Sequence, residues 1–276
     1  MALTVNTNLT AMHATANLNR SNASLSSSLG RISSGMRINT AGDDAAGLGV
    51  AENLNAATRS MKVAMRNTSD GISVVATAEG AANEVGNILK RMRELAVQSS
   101  SDTLATTERA YIQDEFTQLS EEVDRISNVT EFNGVKLSDG SAAVLEVQVG
   151  IQDTADDRIS ITLGDLTAAT LGVDALSIDM STAAGARTAL TGLDTAIDAV
   201  NGYRSDFGSV QNRLESSFRN LENVSQNLTA AESMIRDTDF AEESAEMAKY
   251  QVMQQAGVAV LAQAKSINAQ AAQLIQ

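Results

Sequence analysis

Apolar residues along this chain recur mostly at three- and four-residue intervals, the period of an α-helix with one buried face. Near the N-terminus the stripe is Leu18, Asn22, Leu25, Leu29, Ile32 and Met36. Gly42 interrupts it, and Asp43 or Asp44 can accept hydrogen bonds from the free N–H groups that open the next helix. That second helix carries Val85, Ile88, Met92 and Leu95 in its latter part, until the small polar run Ser99 to Thr103 breaks it. A third stripe is Ile112, Phe116, Leu119, Val123 and Ile126. The period then changes. Asn133-Gly134 is a turn signal, and beyond it Leu145, Val147, Val149 and Ile151 alternate with Glu146, Gln148 and Gly150. Ile159, Ile161 and Leu163 alternate in the same way, which predicts a β-hairpin with a long acidic loop. Helical spacing returns near Ala186 and persists through Leu190, Leu193, Ile197, Val200, Phe207, Leu214, Leu221 and Leu228 to Ile235. At ~1.5 Å per residue, that helix would span roughly 75 Å. The last stripe is Met253, Ala256, Val260, Ala264, Ile267, Ala271 and Leu274, large residues interleaved with alanine so that a partner helix can come close.

The pattern predicts a mainly α fold: an elongated helical bundle with long coiled-coil helices from both termini plus a small β-hairpin near 144–163. Termini are usually where patterning fades, yet here it runs almost to the last residue. Apolar area left in water is unfavourable by roughly 25 cal/mol per Å², so the end stripes need cover. We therefore expect residues 1–42 and 238–276 to pair as a terminal coiled-coil layer that still requires neighbouring copies, and 43–237 to form a separate helical domain. The residues expected to carry self-assembly are Leu18, Leu25, Leu29, Ile32, Met36, Met253, Val260, Ile267 and Leu274.

Charge divides the chain in the same places. Residues 1–42 hold no acid, only Arg20, Arg31 and Arg37, and residues 247–276 hold only Lys249 and Lys265. These five cations leave −19 on the middle, against −14 for the whole chain. That balance argues against a phosphate-tracking nucleic-acid binder. The hydrophobic fraction of 43% contains only 3% aromatic residues, and proline and cysteine are absent. Disulfides and thiolate metal sites are thereby excluded. No stretch approaches 18 uninterrupted apolar residues, so no membrane insertion is expected. The N-terminal thirty residues lack the basic and apolar regions of a cleavable signal peptide.

The search for chemistry finds no active site, metal site or cofactor site. His13 is the single histidine, which leaves no partner for a zinc motif or a Ser-His-Asp arrangement. The glycine-rich run from Gly42 to Gly49 contains two aspartates and no following lysine, the wrong charge for a phosphate cradle. Asp153, Asp156 and Asp157 lack the ligand order and closing Glu of a calcium loop. Glu121-Glu122 and Glu242-Glu243 read as solvated helix faces.

Several motifs, in order, resemble bacterial flagellin. They are Thr7 to Ala11, Leu29-Gly30-Arg31-Ile32-Ser33-Ser34-Gly35-Met36-Arg37-Ile38-Asn39, Ala41 to Leu48, Arg93-Glu94-Leu95-Ala96-Val97-Gln98, Glu131-Phe132-Asn133-Gly134-Val135-Lys136-Leu137, and Gln254 to Ala264. Only some twenty residues separate Leu163 from Ala183, so the large variable outer domains of long flagellins have no room. The resemblance implies a structural subunit that polymerises with itself into the extracellular flagellar filament for swimming motility. The terminal layer would form the inner filament core, with Asn6, Asn17, Asn19, Gln263 and Gln270 keeping the channel wall wet. It further implies export without a cleavable signal peptide through the flagellar secretion apparatus, an export chaperone, a cap protein at the growing tip and a hook–filament junction protein. A Toll-like innate immune receptor would contact Arg91, Leu95 and Glu115, with Arg91 and Leu95 sharing one helix face. A junction protein with related terminal helices, and a soluble helical scaffold protein, are the alternative readings.

Overall fold

The computed structural model describes residues 7–175 and 178–273. Among them, α1 spans Leu9–Ser34, α2 Ala45–Ser99 and α3 Thr106–Val129. Strands β1 (Glu131–Phe132), β2 (Val135–Lys136), β3 (Val144–Gln148) and β4 (Arg158–Thr162) follow, then the short helix α4 (Ala168–Leu171), α5 (Ala183–Arg236) and α6 (Phe240–Gln273). No helix among the described residues is long and apolar enough to cross a membrane.

Helix boundaries have local chemical causes. Asn8 caps α1 by accepting from the Ala11 N–H at 2.9 Å. Gly35 ends that helix at φ 72°, a left-handed conformation that spares a side chain a steric penalty, and its N–H donates to Arg31 O at 2.8 Å. Asp44 opens α2 as its position suggested, its Oδ1 accepting from Ala46 N at 3.0 Å and Gly47 N at 2.9 Å. The break at 100–105 is held by Arg109, whose Nε donates to Ser99 O at 3.0 Å, while Glu108 accepts from the Ala105 N–H.

The chain divides into two compact units: Met1–Thr58 with Asn227–Gln276, and Arg59–Gln226. The dividing positions lie inside α2 and α5, beyond the 42/43 and 237/238 boundaries expected from sequence. In the first unit the opening turns of α2 bind the closing turns of α5. Asn55 Nδ2 donates to Glu232 Oε1 at 2.8 Å, and Arg236 Nη1 to Glu52 Oε1 at 2.9 Å.

The second unit holds the continuous hydrophobic core. On α2 the buried row is Val75, Ala78, Ala82, Val85, Leu89, Met92 and Ala96, spaced alternately by three and four. Leu193, Ala196, Val200, Phe207, Val210, Leu214 and Leu221 form a matching row on α5 at intervals of three, four and seven, and α3 adds Ile112, Phe116 and Val123. Such spacing keeps one side of each helix facing its neighbours over many turns. β3 and β4 pair antiparallel, Leu145 opposite Ile161 and Val147 opposite Ile159, with Val147, Ile159 and Ile161 turned into this core and Glu146 and Ser160 outward. The predicted strand through Ile151 stops earlier. Val149 and Gly150 N–H groups both donate to Asp157 O, and the Asp157 carboxylate accepts from Gln152 N and Thr154 Oγ1. The aspartate thus stitches the loop closed.

Two features go further than the sequence reading. Asn133-Gly134 is the tip of a separate two-residue hairpin, β1 pairing with β2. More consequentially, the segment between β4 and α5 adds Leu166, Ala168, Val173, Ile178 and Met180 to the core. Polar groups fix this strap. Ser99 Oγ donates to Met180 O at 2.6 Å, Met180 N donates to Gln113 Oε1 at 2.7 Å, and Ala168 N donates to Asp124 Oδ1 at 2.8 Å. Burial pushes the Asp165 carboxyl upward, but the Thr170 and Thr167 hydroxyls with the Thr167 N–H together hold it below its ordinary value.

Candidate assembly surface

In the first unit α1 and α6 lie side by side and run antiparallel. Asn8 Nδ2 donates to Ala264 O at 2.9 Å at one end, and Arg31 pairs with Glu243 at 3.6 Å at the other. Beyond Arg31 the chains remain joined: Met36 bridges Asp237, Thr238 N donates to Gly35 O, and Arg37 N donates to Arg236 O. On α1 the covered positions are Ala11, Ala14, Leu18, Ser21, Leu25, Ser28 and Ile32. On α6 they are Glu243, Met247, Tyr250, Gln254, Gly257, Leu261 and Ala264. Both rows alternate three and four, the repeat of a coiled coil. Small residues set the approach: a Cβ at Gly257 would sit 3.3 Å from Leu18 Cδ1.

This seam takes up only part of the sequence-derived stripes. Leu18, Leu25 and Ile32 belong to it, but Leu29 is 48% exposed. Met36 lies past the end of α1, because Gly35 turns the backbone out of the helix and into the bridge with Asp237. On α6 the expected stripe and the seam differ by about a quarter turn, at ~100° per residue. Ala264 lies at the edge common to both, whereas Met253 and Val260 are 47% and 55% exposed. Ile267 falls on α6, and Leu274 lies outside the described residues. The physical reason is that α6 is apolar on more than one side, so a single spacing match could not choose the side facing α1. The seam itself contains Ser21, Ser28, Gln254 and Glu243, and its polar members masked it; the three-four recurrence of small residues on α1 was the available signal.

What the seam leaves uncovered is the candidate surface. Leu9, Met12 and Leu29 on α1, and Val252, Met253, Val258 and Val260 on α6, are large apolar side chains facing solvent. Val50, Met234 and Phe240 add to them in the same unit. Ten of the seventeen exposed large apolar side chains among the described residues therefore fall in the smaller unit, a concentration that marks a contact surface rather than scattered surface residues. His13 is exposed beside it.

The second candidate site lies in the other unit. Arg91 Nη2 and Nε reach Glu115 Oε1 at 2.7 and 3.1 Å, and Nη1 reaches Glu94 Oε2 at 3.0 Å. The Glu115 and Glu94 carboxylates hold the Arg91 guanidinium pKa above its usual value. Leu95, expected to share a helix face with Arg91, is only 1% exposed. Spacing of four places it one turn from Arg91, but on this helix that turn rotates into the core. Among the described residues no group of three His, Cys, Asp or Glu side chains is placed to hold a metal ion.

Comparison with known proteins gives the same family at both ends. The family model of the bacterial flagellin N-terminal helical region matches residues 5–143, and that of the C-terminal helical region matches 190–275. A flagellin of Halalkalibacterium halodurans is 44% identical over 260 residues, covering 94% of this chain and 95% of that one. A flagellar filament core protein, flaB2, of Brachyspira hyodysenteriae is 40% identical, with 99% of each chain covered. The crystal structure of Bacillus cereus flagellin superposes with a TM-score of 0.50 at 32% identity, covering 60% of this chain and 94% of that chain. A putative flagellar hook-associated protein from Vibrio parahaemolyticus, at 16% identity and a TM-score of 0.60 over 70% of this chain and 99% of that chain, shares the fold alone. The chain belongs to the bacterial flagellin family, a family of structural proteins and not of enzymes.

Proposed function

We infer that the exposed apolar rows of α1 and α6 are the faces through which this chain, a structural subunit of the extracellular bacterial flagellar filament, binds further copies of itself. The observation that carries this reading is α6: one side is already occupied by α1, and Met253 and Val260 on another side remain in water. Two different helices presenting different faces make a heterologous contact, and such contacts extend into open helical arrays. Aspartate at Val260 puts a charge where a neighbour must desolvate it. Val260→Asp should leave the helical content and thermal transition of the monomer unchanged. It should raise the critical concentration for elongation by ~10-fold or more, because each ~1.4 kcal/mol is a factor of ten and an unpaired buried carboxylate costs several times that. Sedimentation of salt-seeded protein checks it; elongation at the unsubstituted threshold would remove these rows from the interface.

The finer steps of assembly follow from the same reading. A chain without cysteine or proline carries no disulfide and no slow X-Pro bond, which suits export unfolded through the flagellar secretion apparatus without a cleavable signal peptide. An export chaperone would cover the apolar ends beforehand, and a cap protein would direct their folding at the tip, beyond a hook–filament junction protein. Asn17, Asn19 and Gln263 are exposed and supply polar groups for a wet channel wall; a filament map with α1 and α6 outermost would overturn that placement. A Toll-like receptor would meet the Arg91–Glu115 pair with Glu94 beside it, Leu95 acting from beneath by packing. Arg91→Ala monomer should then give a reporter response reduced about tenfold, since charge-assisted pairs contribute ~1.5–3 kcal/mol.

A further inference from the structure

Among the described residues, the most exposed methionines fall in one unit, while Met36, Met65 and Met247 are half-buried. Met92 and Met180 are fully buried in the core of the second unit, and Met61 is 9% exposed. Met12, Met234 and Met253 are 63%, 82% and 47% exposed, and all three lie in the unit that carries the assembly surface. Met12 and Met253 stand within the exposed rows of α1 and α6, and Met234 projects from the last turn of α5. A thioether behaves as a flexible apolar filler, whereas its sulfoxide is a polar acceptor.

We propose that Met12, Met234 and Met253 are oxidation sites that gate assembly: peroxide-class oxidants convert them to sulfoxides and the oxidised subunit cannot join a filament until it is reduced. This rests on the reading of these faces as subunit contacts. The thioether sulfur attacks one oxygen of the hydroperoxide, the O–O bond breaks, an S=O bond forms and water leaves as the reduced product. The sulfur loses two electrons and the peroxide gains them. Each new sulfoxide oxygen arrives at a face that a neighbour must dry, and stripping water from that polar acceptor is costly. The same contact shields the sulfurs once a subunit is incorporated, so the free subunit is the vulnerable form. Methionine sulfoxide reductases, using a dithiol as electron donor, return the sulfur to the thioether and make the block reversible.

The test treats purified full-length monomer with hydrogen peroxide, maps each methionine by peptide mass spectrometry, and measures the critical concentration for seeded elongation. Expected is a gain of one oxygen at positions 12, 234 and 253 before positions 92 and 180, with unchanged helical circular dichroism. The critical concentration should rise at least ~10-fold, each ~1.4 kcal/mol counting one decade. Treatment with both reductase classes and a dithiol should restore it. The triple variant Met12→Leu, Met234→Leu, Met253→Leu keeps apolar volume and should elongate equally before and after peroxide; the three single variants should each recover part of the loss. Peroxide-treated protein elongating at the untreated threshold would overturn the proposal, as would equal sensitivity in the triple and single leucine variants. Untreated protein that never elongates would instead overturn the filament reading, and this gate with it.

Discussion

Deleting residues 253–276 should abolish elongation while leaving the unit Arg59–Gln226 folded. The deletion takes Gln254, Gly257, Leu261 and Ala264 out of the seam with α1, together with the exposed Met253, Val258 and Val260. α1 then loses cover for Ala11, Ala14 and Leu18, and its Asn8 loses the Ala264 carbonyl. An isolated helix of 26 residues with many serines and asparagines has little reason to persist without a partner. The core of Val85, Leu89, Phe116, Ile161, Leu193 and Leu214 draws nothing from those residues. The expected outcome is a soluble monomer whose main thermal transition stays within a few degrees of the intact chain, with loss of helix confined to the ends. No filaments should form at concentrations ~100-fold above the normal threshold, a difference of ~2.7 kcal/mol that removal of two contact faces readily exceeds. Seeded elongation, analytical ultracentrifugation and calorimetry read the three parts separately. Normal polymerisation of the shortened chain would mean that the terminal layer is not the assembly element.

Long helices were legible because they are long. α5 runs for 54 residues, and its buried row survives every local exception in the spacing. The hairpin was legible because β3 and β4 each bury one face and wet the other. Harder cases shared one cause: periodicity reports that a face is apolar, not what covers it. On α6 the stripe through Met253 and Val260 was real, yet α1 occupies the neighbouring face, where Tyr250, Gln254 and Gly257 read as unremarkable. Leu95 failed in the opposite direction, since a spacing of four from an exposed arginine does not place a leucine outside when α2 is covered there. The sequence between β4 and α5 shows no helical or strand period. The segment is held by hydrogen bonds with distant residues, Asp124 and Gln113 accepting from its backbone and Ser99 donating to it, which no local pattern can announce.

Phe116→Ala should destabilise the unit Arg59–Gln226 by about 3–5 kcal/mol, the usual range for emptying a buried aromatic site. The ring is fully buried on α3 and heads the largest completely covered side chains among the described residues. This core is otherwise built from alanine, valine, leucine, isoleucine and the two methionines Met92 and Met180, and Phe207 is the other phenylalanine that it buries. Alanines such as Ala78, Ala82 and Ala196 bring the helical backbones close together, and short side chains cannot swing into a vacated ring-sized space. The strap restricts relaxation further, because Gln113, one turn before Phe116, is hydrogen-bonded to Met180 N and holds α3 in place. At roughly 2–4 °C per kcal/mol for a unit of this size, the main thermal transition should fall by about 10 °C. Phe116→Leu should cost about a third as much, because most of the volume is kept. Calorimetry of the three proteins decides the matter. A loss below ~1 kcal/mol in the alanine variant would show that the helices collapse into the space, and the close-packed account of this core would then be wrong.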